Sequence, residues 1–200
     1  MGIGLTILKY TVFYEVGLSI RAAFERHKYW NESREYCNEV GKQLLRIGVR
    51  RSPLEPPNGD VTLDIDPVIL TIPGGVLGDE RDMSMWKNRE FGVCFNEHTL
   101  EHLYSAEDVE LAVNECVRVA DIAVFLAPSP YSLWSNFLVP THKLRIWFDN
   151  VNERIKVEPN KYNTGLGITN PPAIRQAFVS KGKAPIITKE GRVIVVESTY

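Results

Sequence analysis

Polar side chains that could act as bases or ligands follow a buried apolar run near the middle of the chain. Asn96, Glu97 and His98 come directly after Phe91–Phe95, a run typical of a buried strand, and are predicted to form a polar turn. A carboxylate or imidazole at the end of a strand can act as a general base. Capping of the turn is the alternative role. Glu97, His98 and the more distant His142 are therefore the candidate catalytic residues.

His98, Glu101 and His102 form the pattern H-x-x-E-H. In some zinc hydrolases, two histidines in this pattern bind the metal and the glutamate activates water. That arrangement needs a sustained helix and a third ligand, whereas helical spacing here begins only near Ser105 and the sequence identifies no third ligand. A zinc hydrolase is therefore the third functional alternative, and no metal site is predicted.

A short predicted strand, Val61–Ile65, carries an acid near its end. In nucleotide-binding α/β domains, a carboxylate about 20 residues after a glycine turn accepts hydrogen bonds from the ribose hydroxyls. Asp64 stands at nearly this spacing from a turn at Arg46–Ser52 that contains Gly48. A turn or cap role is the alternative for Asp64.

The elements that would position these residues alternate between strand and helix. Ala106–Val119 has helical spacing, with Ser105 as its predicted N-cap, and a second buried strand is predicted at Ile122–Ala127. The predicted apolar stripe of the helix comprises Val109, Leu111, Ala112, Val113, Cys116, Val117 and Val119. A strand, a helix and a parallel strand form a right-handed crossover, and ligands bind outside the carboxyl ends of such strands.

The remaining segments complete an α/β pattern. They are a helix at 29–45, a loop at 50–60, a hairpin of 143–149 with 154–158, an irregular stretch at 163–172, and a terminal hairpin of 185–188 with 192–197. This order predicts a mostly parallel sheet with helices on both faces and an antiparallel C-terminal edge. We divide the chain into a helical extension (1–43), an α/β core (44–150) and an antiparallel part of the same domain (151–200).

Composition narrows the function classes. The chain has 200 residues, of which 44% are hydrophobic, and its net charge is -2, so one domain is expected and a nucleic-acid partner is not. Cys37, Cys94 and Cys116 are odd in number and lack C-x-x-C spacing. Reduced, packed thiols in a cytoplasmic protein are therefore expected.

The N-terminal stretch Ile3–Ala23 is apolar but is interrupted by Lys9, Glu15 and Arg21. Three charges in about 20 residues argue against a membrane-spanning helix. A helix packed on the domain or on a partner chain and an amphipathic helix on a membrane surface are the two alternatives. We therefore expect residues 1–24 to contact a partner chain or a membrane surface. The corresponding alternatives are homo-oligomer formation and a cytoplasmic protein located peripherally at a membrane.

Several short motifs occur together in the second half of the core. They are G-D-x-x-D at Gly78–Asp82, an apolar strand from Phe91, L-E-H at Leu100–His102 and E-x-x-R-V at Glu115–Val119. Together they resemble the second half of class I S-adenosylmethionine-dependent methyltransferases of the small-molecule type, in particular methyltransferase type 11. The resemblance covers about residues 44–130.

The resemblance implies a Rossmann-like fold, S-adenosylmethionine as cofactor and an unidentified methyl acceptor. The implied cofactor-binding residues are Ile47, Gly48, Asp64, Asp79, Asp82 and Asn96. Asp64 would bind the ribose, and Asp79 or Asp82 would contact the adenine edge. Asn96 and Glu97 would face the methionine part or the acceptor. Methyl transfer from a sulfonium requires mainly that the acceptor be positioned.

The chain departs from the family pattern at its glycine turn. Leu44–Gly48 would be the first strand and its turn, yet Val49–Ser52 supplies no second or third glycine where the family carries a G-x-G-x-G-like sequence. Cβ atoms would occupy the space in which the backbone approaches the cofactor. The second functional alternative is therefore a non-catalytic binding or scaffold protein that has kept the fold and lost the cofactor.

Overall fold

A computed structural model of the chain describes residues 2–128, 139–149, 154–160, 177–178 and 192–194. Five strands lie side by side in the order β3-β2-β1-β4-β5, and every neighbouring pair is parallel. Their bounds are β1 Leu44–Ile47, β2 Val61–Asp64, β3 Gly75–Leu77, β4 Phe91–Glu97 and β5 Ala120–Leu126. The protein is thus an α/β protein with a mostly parallel sheet. β1 and β4 are buried along their whole length, as expected for strands covered on both faces.

The C-terminal strands differ in part from the sequence prediction. β6 (Leu144–Asp149) and β7 (Arg154–Pro159) form the predicted antiparallel hairpin, which is a separate two-stranded sheet. β8 (Ala177–Phe178) pairs antiparallel with β5, whereas β9 (Arg192–Ile194) pairs parallel with β5. The predicted hairpin partner of β9, residues 185–188, and the irregular stretch 163–172 lie outside the described residues.

Helix α1 covers one face of the sheet. It runs without interruption over Gly2–Val40 and ends before Gly41, which has a φ of 68°. The helix predicted from periodicity as far as residue 45 therefore ends earlier, because Leu44–Ile47 form β1. The first strand that the resemblance implied at Leu44–Gly48 agrees with this position of β1. Tyr29, Trp30 and Cys37 pack with residues of β4 and β5, and the ring centroids of Trp30 and Phe95 are 5.1 Å apart.

Helix α2 (Ala106–Val119) covers the opposite face and crosses over from β4 to β5 as predicted. The backbone N–H of Asp108 donates to the Oγ atom of Ser105, which confirms the predicted N-cap. The predicted apolar stripe is buried except at Leu111, whose side chain is 53% exposed. The β1–β2 and β2–β3 connections lack an α-helix; the second contains a 3-10 turn at Pro67–Thr71.

The three cysteines lie within this core as free, buried thiols. Cys94 and Cys116 belong to the cluster beneath α2, and Cys37 belongs to the cluster beneath α1. Burial raises the pKa of the Cys37 thiol to about 11. Burial also raises the pKa of the Cys116 thiol, so Cys37 and Cys116 are packed side chains in the protonated form near neutral pH.

Candidate functional site

A cavity of about 1000 Å³ lies outside the carboxyl ends of β1, β2 and β4. In open α/β sheets, this edge is where ligands bind, next to the point at which the strand order reverses. The cavity brings together six residues that were selected from the sequence: Ile47, Gly48, Asp64, Asp79, Glu97 and His98. The described lining does not include Asp82, Asn96 or His142.

Gly48 begins the turn that follows β1 and lines the cavity. Its φ of 86° lies in the left-handed region that favours glycine. A Cβ atom at this position would lie 2.9 Å from the Cγ2 atom of Thr99. The single glycine of the turn therefore allows the chain after β1 to approach the chain after β4 closely.

Replacing Gly48 with alanine is expected to lower the free energy of unfolding by about 1–3 kcal/mol, because the left-handed conformation is strained and the methyl group meets Thr99. Gly41→Ala is the matched control, since Gly41 has a φ of 68° and a Cβ atom there would meet no neighbouring atom within 4 Å. Urea unfolding measures both variants. Equal losses of about 1 kcal/mol would show that the Thr99 contact carries no weight.

Asp64, at the end of β2, is anchored by backbone hydrogen bonds. Its Oδ2 atom accepts from the N–H of Val49 at 2.7 Å, and its Oδ1 atom accepts from the N–H of Asp66 at 2.8 Å. Nη2 of Arg51 lies 4.0 Å from Oδ2. A carboxylate has about four acceptor positions. Asp64 therefore keeps acceptor capacity at the cavity while its orientation is held by the backbone.

In the loop Gly78–Asp82 after β3, the charged side chain of Arg81 forms ion pairs with acidic residues of the chain. Arg81 donates to both carboxylate oxygens of Asp79, at 3.0 and 2.6 Å, and to Asp108 at 2.8 Å. The hydrogen bonds from Arg81 hold the pKa of Asp79 below its ordinary value despite partial burial. Asp82 accepts a hydrogen bond from the N–H of Ser84. Of the two predicted adenine contacts, Asp79 lies at the cavity and Asp82 does not.

Asn96 and Glu97 are the last residues of β4 and not part of a turn, which corrects the sequence prediction. Asn96 is fully buried, and its Nδ2 atom donates to the Oε2 atom of Glu80 at 2.6 Å. Thr99 Oγ1 lies 2.8 Å from that same oxygen and 2.7 Å from the Oδ1 atom of Asn96. Asn96 therefore supports the cavity floor through Glu80 and Thr99.

Glu80 is the buried acid of this network, and no sequence pattern identified it. Burial is the main cause that raises the pKa of its carboxyl from 4.5 to about 7, while hydrogen bonds from Thr99 and Asn96 oppose the shift. The Thr99 hydroxyl has one proton for two nearby acceptors. A protonated Glu80 can donate to Thr99, which then donates to Asn96.

Two arginines that were also not identified from the sequence hold Glu97. Arg46 of β1 lies 3.2 Å from Oε2 of Glu97, and Arg26 of α1 lies 3.4 Å from Oε1. Arg46 also donates to the carbonyls of Pro56 and Pro57 and is 1% exposed. The signal in the sequence was an arginine within the apolar strand segment LLRI. Because both oxygens of Glu97 face guanidinium groups, Glu97 joins the end of β4 to β1 and α1.

The H-x-x-E-H residues lie on a turn and not on a sustained helix. His98 has a φ of 56°, and Leu100–His102 form a 3-10 turn. Nδ1 of His98 lies 3.3 Å from Oε1 of Glu101, and Nε2 of His142 lies 3.8 Å from the same oxygen. Burial alone would raise the pKa of Glu101, but the nearby imidazoles hold it below its ordinary value. His142, distant in sequence, is thus part of this cluster.

Helix α1 carries an exposed apolar face. Phe13, Val16, Ile20 and Phe24 recur at helical spacing and are 49–74% exposed. Within the part of the chain that the structure describes, none of the helices combines the length and apolar character needed to cross a membrane. The interrupting charges of the sequence are consistent with this finding.

Comparison with models of known protein families finds no match for the chain, and a search of curated protein sequences finds no significant match either.

Proposed function

We propose that the chain is an S-adenosylmethionine-dependent methyltransferase with a Rossmann-like methyltransferase fold, acting on an unidentified acceptor. The observation that carries this proposal is the position of Asp64. Its carboxylate stands at the carboxyl end of β2, faces the cavity and is fixed by two backbone N–H groups. This arrangement suits an acceptor of hydrogen bonds from two ribose hydroxyls.

The strand order gives independent support. β1 and β4 are neighbours although β2 and β3 lie between them in the chain, so the order reverses at β1. Dinucleotide- and nucleoside-containing ligands bind at such a point. Gly48 lies directly after β1 there, and Asp79 follows β3. The cofactor would extend from Asp79 across Asp64 towards Gly48 and the end of β4.

The acceptor would occupy the part of the cavity near His98. Glu97 and His98 line the cavity, but Glu97 is engaged by Arg26 and Arg46. We therefore assign the contact with the acceptor to His98, and a supporting role to Glu97. The sulfonium of the cofactor carries its own activating charge, so positioning is the main demand on the protein.

Calorimetric titration with S-adenosylmethionine and S-adenosylhomocysteine tests the proposal. Wild-type protein is expected to show saturable binding, and Asp64→Asn is expected to weaken it by about 1.5–3 kcal/mol, the value of a hydrogen bond to a charged group. This loss corresponds to an affinity about 10- to 150-fold lower.

Asp60→Asn is the matched control. Asp60 also accepts from a backbone N–H, that of Leu44 at 2.8 Å, and from an arginine, Arg34 at 2.6 Å, but it precedes β2 at the opposite end of the strand. The affinity of the Asp60→Asn variant for S-adenosylmethionine should equal that of wild type. Equal binding by Asp64→Asn would contradict the assigned cofactor position.

The second candidate function, a non-catalytic binding protein, predicts a different result. It is favoured by the short β1–β2 connection without an α-helix and by the single glycine of the turn. Absence of heat and of thermal stabilisation with either ligand, in folded wild-type protein, would support this alternative and overturn the methyltransferase proposal.

A further inference from the structure

The Glu101 carboxylate is buried in an unusual environment. Its side chain is 2% exposed, and neither oxygen receives a well-directed hydrogen bond in the described structure. Buried carboxylates are normally paired, hydrogen-bonded or bound to a metal. The groups that surround Glu101 are imidazoles of His98, His102 and His142. This set of groups matches the ligands of a transition metal better than the polar groups of a hydrogen-bonded core.

Three of these residues place ligand atoms close together. One atom each from Glu101, His102 and His142 lies within 4.8 Å of the others. A tetrahedral ion bound about 2.0–2.2 Å from each ligand requires the ligand atoms to be about 3.4 Å apart. Modest rotations of the side chains would close this difference. His102 and His142 already lie with ring centroids 4.9 Å apart.

Two hydrogen bonds hold the candidate ligands in place, one at the His102 side chain and one between backbone groups. Nδ1 of His102 lies 3.2 Å from the carbonyl oxygen of Thr141. When Nδ1–H donates there, Nε2 keeps its lone pair, as in many metal-binding histidines. The N–H of Lys143 donates to the carbonyl of Glu101 at 2.8 Å. This bond ties the chain that carries His142 to the turn that carries the other two ligands.

We propose that Glu101, His102 and His142 form a binding site for a divalent transition-metal ion such as zinc. Two imidazoles and one carboxylate are a ligand set that leaves a coordination position for water or substrate. His102 lines the cavity, so that position would face it. A metal at this place can polarise a bound oxygen. The proposal does not depend on the cofactor, because the ligands and their contacts all belong to the chain.

The competing arrangement has no metal. In that case Nδ1–H of His98 would donate to Oε1 of Glu101, 3.3 Å away, and would satisfy that oxygen of the buried carboxylate. If the metal site exists, metal-free protein will bind one ion at Glu101, His102 and His142. If the metal-free arrangement is correct, it will bind none there.

A Co²⁺ titration of chelator-treated full-length protein distinguishes the two arrangements. Visible absorption monitors Co²⁺ binding, and Zn²⁺ is then added to displace the bound Co²⁺. We expect saturation at about one equivalent and a spectrum typical of mixed nitrogen and oxygen ligands. Loss of a residue that only hydrogen-bonds a metal ligand weakens metal binding about 10- to 100-fold. Glu101 and His102 would bind the ion directly, so Glu101→Gln and His102→Gln should each weaken binding by more than about 100-fold.

His27→Gln is the control, because His27 lies on α1 outside the cluster, and its affinity should equal that of wild type. His102 is exposed, so its variant is expected to fold, which circular dichroism verifies. Failure of folded wild-type protein to bind Co²⁺ saturably would overturn the proposal. Binding that persists in Glu101→Gln and His102→Gln would also overturn it, because the ion would then be held elsewhere.

Discussion

Replacement of Arg46 with methionine is expected to lower the free energy of unfolding by about 3–5 kcal/mol, the typical cost of removing one partner of a buried ion pair. The guanidinium of Arg46 faces Glu97 at 3.2 Å, and the side chains are 2% and 1% exposed. Its loss would leave Glu97 with Arg26 alone and would remove donors from the carbonyls of Pro56 and Pro57. Urea unfolding followed by tryptophan fluorescence measures the change.

Arg50→Met is the matched control for this effect. Arg50 also donates to backbone carbonyls, those of Ser52 and Pro53 at 3.0 Å, but these bonds are exposed. Its replacement should change stability by about 0.5 kcal/mol or less. The double variant Arg46→Met with Glu97→Gln should be less destabilised than the sum of the two single variants. A loss below about 1 kcal/mol for Arg46→Met would show that Glu97 is not held by this pair.

The second large effect is a pH dependence that comes from Glu80. Its pKa in the folded protein is about 7, against 4.5 for an ordinary glutamate. Between these pH values the folded state binds more protons than the unfolded state, so stability falls as the pH rises. Each tenfold change in proton affinity corresponds to about 1.36 kcal/mol, so the fall attributable to Glu80 is about 3 kcal/mol.

Comparison of wild type with Glu80→Gln isolates this contribution. Glutamine resembles the protonated acid, so the variant should lack the fall and should be more stable than wild type at pH 8 by up to about 3 kcal/mol. Urea unfolding at a series of values from pH 5 to pH 8 provides the measurement. Glu110→Gln, an exposed change on α2, should follow the wild-type curve.

Carboxyls with lowered pKa values act in a different range. Asp79 and Glu115, for example, contribute stability that is present above the ordinary pKa and is lost as the pH falls below it. Their effects therefore lie below about pH 4.5, outside the range of Glu80. Parallel curves for wild type and Glu80→Gln from pH 5 to pH 8 would contradict the burial of an ionisable Glu80.

The elements that could be predicted are those whose residues interact mainly with near neighbours. The helix Ala106–Val119 begins and ends where its N-cap and apolar spacing indicate. β4 and β5 were recognisable as short apolar runs, with errors of at most two residues at each end. The 144–149 and 154–159 pair was recognisable because both strands of a hairpin lie close in sequence.

Elements that depend on distant partners were predicted less well. Leu44 and Leu45 fit the helical period of the preceding residues, yet they pair with Val93 and Cys94 of β4. Their strand conformation comes from backbone hydrogen bonds with residues far away in sequence. β9 was expected in an antiparallel C-terminal part but pairs parallel with β5, since alternating apolar residues do not specify the direction of a partner strand.

The same division applies to the candidate site. Gly48 and Asp64 were selected from local spacing, and the structure brings both to the cavity. Arg26, Arg46 and Glu80 were missed, because local patterns assign charged residues to solvent-exposed positions. Their partners are distant in the chain, since Glu97 lies 71 residues from Arg26 and 51 residues from Arg46, and Asn96 lies 16 residues from Glu80.

Residue types and their local spacing were enough to predict the alternation of strands and helices, the cap of α2, the strand-end acid Asp64 and the buried state of the cysteines. These properties follow from residue type and spacing over a few turns or strands. The contacts of Arg26 and Arg46 with Glu97, in contrast, arise only in the folded chain. The same is true of the cluster formed by His142, Glu101 and His102. Such groups become partners only when the parallel sheet and the β6–β7 hairpin bring distant segments together, and desolvation then makes their charges interact strongly.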